Sequence, residues 1–132
     1  EHPFIFKPVE LINPLANEKL PPFRNVWMKT QGEMPEDRRL NEAVLAYASD
    51  YNLLTTAMLP HGNVVFTKNM QMASLDHAMW FHRPFRADDW LLYAIESPSA
   101  NGARGFTRGH IFNKEGILVA SVAQEGLIRP IQ

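Results

Sequence analysis

One segment of this chain repeats with a helical period, and most of the chain beyond it reads as strand. Leu40, Ala43, Val44, Tyr47, Ala48 and Tyr51 recur at i, i+3, i+4, i+7, i+8 and i+11, the spacing of one apolar helix face. Glu36 and Asp37 stand near its start, where acidic groups favour the helix dipole. Arg38, Glu42 and Ser49 fall on the opposite face. At about 100° per residue, Asp50 lands beside Ala43 on the border of the stripe. Ala46, one turn earlier, leaves room next to that carboxylate.

Residues 4–12 read as an edge strand, because Pro8 cannot donate to a ladder. Asn13-Pro14 and Pro21-Pro22 punctuate a loop, and residues 23–29 form a second strand around Trp27. Beyond His61-Gly62, strands are expected at 69–85 (one long strand, or two with a bend), 90–96, 103–112 and 117–128. Residues 97–102 read as a loop and 113–116 as a tight turn. Gly105 and Gly109 share a strand face where a neighbour packs close. A lone helix among antiparallel strands predicts an α+β layer fold, with the sheet wrapped around the helix. The length of 132 residues suits a single domain.

The segment Ser74-Leu75-Asp76-His77-Ala78-Met79-Trp80-Phe81-His82-Arg83-Pro84-Phe85 does not alternate cleanly between apolar and polar. A strand with one wet face would alternate. This one is therefore expected to be covered on both sides, as the rigid central strand, with polar groups held inside. His77 and His82 are five apart, so they point to opposite faces and cannot chelate one metal. The chain has no cysteine, which excludes disulfides, thiolate zinc sites and a cysteine nucleophile. A net charge of −1 without a basic block gives no nucleic-acid footprint. No apolar run reaches the length of about 18 residues that spans a bilayer.

Three polar groups interrupt otherwise apolar faces. Gln124 follows Leu118, Ala120 and Val122 on one face of the last strand. It is either a core amide bonded to a loop or part of a site, since an unpaired buried amide costs about 1–3 kcal/mol. Asp50 either closes a local turn with Asn52 or serves as a base on the rim of the stripe. Ser74 shares strand parity with Met70, Met72 and Asp76. No Gly-x-Ser-x-Gly elbow surrounds it, so it is not read as a serine-hydrolase nucleophile. Arg83, Arg104 and Arg108 are candidates for phosphate contacts, and Met70, Met72, Met79 and Phe81 for an adaptable apolar lining or for plain core.

The 74–85 run, Trp90-Leu91-Leu92-Tyr93, Glu96-Ser97, Ala103-Arg104-Gly105 and residues 116–126 resemble the acyl-CoA thioesterase II family. Tyr47-Ala48-Ser49-Asp50 and Pro60-His61-Gly62 match it as well. The resemblance spans essentially the whole chain. It implies a hotdog fold, with residues 1–132 as a single hotdog domain, the C-terminal half of a double-hotdog protein. That agrees with a chain that begins at Glu1 rather than Met. The activity implied is hydrolysis of acyl-CoA to fatty acid and CoA. By local motif, the family's Asp, hydroxyl and Gln fall on Asp50, Ser74 and Gln124. The hydroxyl is often Thr in the family, so Ser74 is a mild departure that loses the rotamer-fixing methyl.

The resemblance implies neither cofactor nor metal. The partners expected are acyl-CoA and either an N-terminal hotdog domain of the same protein or a second copy, giving an oligomer. A second reading is an incomplete hotdog half, and a third is an acyl-CoA-binding module that does not hydrolyse. Neither nucleic acid nor membrane is expected as a partner. The expected location is the cytoplasm. The family also allows peroxisomes, but Arg129-Pro130-Ile131-Gln132 is not a Ser-Lys-Leu address.

Overall fold

The computed structural model describes the backbone of residues 3–9, 23–51, 70–99 and 104–130. Within these, the side chains of residues 3–9, 23–50, 76–96 and 106–125 are described. The elements are β1 (Phe4–Pro8), β2 (Phe23–Thr30), α1 (Arg38–Tyr51), β3 (Met70–Phe81), β4 (Leu91–Ser99), β5 (Arg104–Phe112) and β6 (Leu118–Pro130). The strands form one antiparallel sheet in the order β1-β2-β4-β5-β6-β3. This is the α+β, hotdog-type arrangement expected, with one helix lying on the sheet.

The helix starts at an aspartate cap. Asp37 Oδ1 accepts the Leu40 N–H at 3.2 Å, satisfying one of the donors that a helix start leaves over. Its packing face differs from the expected stripe. Asn41, Leu45, Ala48 and Ser49 are buried, whereas Leu40 is 42% and Tyr47 61% exposed. Ser49, expected on the outer face, is fully buried. The stripe is rotated because Asn41 and Ser49 are polar in sequence but are fully bonded inside, and such groups are buried at little cost. Asn41 donates to Pro35 O (3.0 Å) and Asp37 O (2.8 Å) and accepts the Ala87 N–H at 2.8 Å. It thereby ties the helix start to the segment between β3 and β4.

Leu45 and Ala48 face a core of Met28, Leu91, Tyr93, Ile95, Ile111, Ala120 and Val122. Gly109 on β5 lies under the Tyr93 ring, where a Cβ would stand 2.3 Å from the ring. The close approach expected at that glycine is thus present. Gly105 lies outside the described side chains.

Among the described residues β1 is an edge strand, as Pro8 predicts, over Phe4–Pro8; residues 10–12 lie outside them. The expected loop at 97–102 begins later than predicted, since β4 continues to Ser99 through a register shift between Glu96 and Ser99. Pro98 falls within that shift, where a missing N–H is tolerated. The β5–β6 turn is as expected. Asn113 Oδ1 accepts N–H bonds from Glu115 (3.0 Å) and Ile117 (2.9 Å), and Gly116 takes φ 84°.

Among the described residues β3 is an edge strand, not the central one. The expectation that it is covered on both sides also fails: Trp80 is 54% exposed. The strand does alternate, with His77, Met79 and Phe81 opposite Gln124, Val122 and Ala120 on the helix side. The pattern was obscured because a polar histidine points inward and an apolar tryptophan outward. A register shift between Ser74 and Asp76 interrupts the pairing with β6. Ser74 and Asp76 therefore do not share a face, contrary to the simple parity reading.

Candidate active site

The last full turn of α1 is held from below. Tyr93, buried in the sheet, donates its hydroxyl hydrogen bond to the Ser49 carbonyl at 2.8 Å. Burial pushes the Tyr93 phenol well above its usual range, and the negative charge of Asp50 pushes it the same way. The phenol therefore stays neutral and remains a donor. The Ser49 hydroxyl lies 2.9 Å from Ala46 O, 3.1 Å from His77 Nε2 and 3.4 Å from Met79 Sδ.

Gln124 on β6 is 1% exposed and pairs in register with His77 on β3 and Thr107 on β5. Its Oε1 accepts a hydrogen bond from His77 Nδ1. Asp50 Oδ1 lies 3.9 Å from the same nitrogen. Asp50 and Gln124 thus reach one point on the helix side of the sheet, from different elements. The His77 side chain is 24% exposed and that of Asp50 51%. Asp50 is therefore wetter in this chain than its position on the stripe border suggests. Among the described residues, Gln124 Nε2 and Thr107 Oγ1 are buried without a hydrogen-bond partner.

The third sequence candidate, Ser74, is located by its backbone only. It pairs with Gly126, two residues from Gln124 on β6, and its side chain lies outside the described residues. Met70, Met72 and Arg104 are in the same position. Met79 and Phe81 pack against the core. Arg108 is engaged by Glu96, which weakens its case as a phosphate ligand. His82 bonds Ser121 Oγ at 2.9 Å, on the sheet face away from His77. Among the described residues, no group of three His, Asp or Glu side chains is placed to hold a metal ion.

Sequence reasoning used His77 only to exclude a metal shared with His82, and put Ser49 on the helix face opposite the apolar stripe. Both belong to this cluster. The signal for His77 was its two-residue spacing from Met79 and Phe81, which share the inward face. Nothing local marked Ser49, whose burial depends on partners 28 and 44 positions away.

Residues 1–127 match the family model described as acyl-CoA thioesterase. The chain is 45% identical over 129 residues to acyl-CoA thioesterase 2 of Haemophilus influenzae, covering 98% of this chain and 45% of that protein. It is 44% identical over 134 residues to human acyl-coenzyme A thioesterase 8, covering 98% of this chain and 40% of that one. Among solved structures, the acyl-CoA thioesterase II TesB2 of Mycobacterium marinum superposes with a TM-score of 0.83 at 44% identity, over 98% of this chain and 50% of that chain. The chain therefore spans about half the length of these relatives. A hotdog-type sheet and helix, a family match over nearly the whole length and close relatives of one kind lead to one assignment: this chain belongs to the acyl-CoA thioesterase family.

Proposed function

We propose that the protein carrying this chain hydrolyses acyl-CoA thioesters by direct attack of water. The observation that carries this reading is the meeting of Asp50 and Gln124 at His77 Nδ1, in a chain of this family. Asp50 takes a proton from water as its oxygen bonds to the thioester carbonyl carbon. Ser74 and Gln124 orient that water, and they or nearby backbone N–H groups offset the negative charge growing on the carbonyl oxygen. The carbon–sulfur bond then breaks, and the CoA sulfur leaves with a proton. The carboxylate, the hydroxyl and the amide come from a helix and two strands. In the intact protein, Asp50→Asn and Gln124→Ala are each expected to lower kcat by at least about 10²-fold while leaving the fold intact. Near-normal thiol release by either variant removes the assignment.

This chain is read as a single hotdog domain and as the C-terminal half of a two-hotdog protein. Its share of the relatives' length supports a second half, and so does the outer edge of β3, which faces no other strand among the described residues. The partner is an N-terminal hotdog domain of the same protein or a second copy of this one. Tight acyl-CoA binding without CoA release would instead select a binding module.

A further inference from the structure

We infer that His77 is a positioning residue, which sets the orientation of the Gln124 amide so that its NH2 group faces the reacting carbonyl. The inference rests on the hydrolytic reading of Gln124 and deepens it. A primary amide has a donor end and an acceptor end of nearly equal shape, and only its partners decide which end points where. Here the partner at Oε1 is His77 Nδ1. An amide oxygen only accepts, so Nδ1 carries the proton.

That assignment fixes the other ring nitrogen. In a neutral imidazole, Nε2 is then the acceptor, and the single proton of the Ser49 hydroxyl, 3.1 Å away, goes to it in place of Ala46 O at 2.9 Å. Ser49 is fully buried, and its carbonyl is held by the Tyr93 hydroxyl at 2.8 Å. A line of bonds therefore runs from the core to the site: Tyr93 to the Ser49 backbone, the Ser49 hydroxyl to His77, and His77 to Gln124. Its end is the Gln124 NH2 group, buried and without a partner among the described residues. Turning the amide over would put an oxygen there instead. An oxygen offers no hydrogen bond to a developing oxyanion, whereas an NH2 group does.

The test is a cycle of variants in the intact protein, with kcat and KM read by thiol release. His77→Ala is expected to lower kcat about 10- to 100-fold, with KM changed by less than about 3-fold. Because His77 acts through Gln124, the double variant H77A/Q124A is expected to be within about 3-fold of Q124A alone. His77→Asn, whose amide N–H can replace Nδ1–H, is expected to recover at least about 10-fold of the loss. His77→Asn also serves as the probe where His77→Ala does not fold. A normal kcat in H77A, losses that multiply in the double variant, or an H77N variant that folds and is as slow as Q124A would each overturn the inference. Failure of the underlying reading is distinguishable, because D50N and Q124A would then turn over normally by themselves.

Discussion

Gly109 shows how closely single residues are matched around the site. Its missing side chain is the space occupied by the Tyr93 ring, with Ala94 O a further 3.3 Å neighbour of any added Cβ. The ring cannot yield easily, since it is fully buried and its hydroxyl is bonded to Ser49 O. Gly109→Ala is expected to cost about 1–3 kcal/mol of stability by overpacking, measured by urea unfolding of the intact protein. Because Tyr93 supports the Ser49 backbone, the same substitution should lower thiol-release activity in the fraction that remains folded. A stability change below about 0.5 kcal/mol would show that the ring has another place to go. Asp50 and Gln124 were legible in the sequence because local motifs surround them. His77 lay in plain view but was not among the candidates, since its meeting with Gln124 depends on strand register 47 positions apart.

At the scale of elements, the helix is docked through a polar residue as well as an apolar face. Asn41 is 3% exposed, and all three of its hydrogen bonds go to backbone groups, at Pro35, Asp37 and Ala87. Replacing it by leucine keeps the volume but leaves the Ala87 N–H without its acceptor. Asn41→Leu is expected to lose about 1–3 kcal/mol, read as a shift of the urea midpoint with unchanged slope. An unchanged midpoint would mean that water or a neighbour takes over all three bonds. The period of α1 was legible, but its buried face was not. Hydropathy counts Asn41 and Ser49 as outward residues, and only the bonds they make inside reverse that. β3 is the complementary case, with its alternation masked by an inward histidine and an outward tryptophan.

At the scale of the molecule, one edge of the sheet is decisive. β3 ends the strand order, so its outer N–H and C=O groups face no other strand of this chain among the described residues. Open edges of this kind pair with further strands, and Trp80 adds apolar surface beside it. The isolated chain is expected to self-associate, with a second copy laid along that edge. A strictly monomeric species in sedimentation velocity at tens of micromolar would count against that expectation. The class of fold was legible from one helix among many strands. The order of the strands was not, because neither hydropathy nor turn residues record which strand pairs with which.

The register shift in β3 also makes the strand sensitive to counting. Ser74 and His77 are three residues apart, an odd spacing that sets two residues on opposite faces of a regular strand. They pair instead with Gly126 and Gln124, which are two apart and share a face. The strand is in effect read in two frames, with Leu75 as the inserted letter. Deleting that one residue would put the first half of β3 into the frame of the second. Positions 70, 72 and 74 would then keep the face they hold, because Ser74 and His77 would stand two apart in a regular strand, and every residue from Asp76 onward would keep its place.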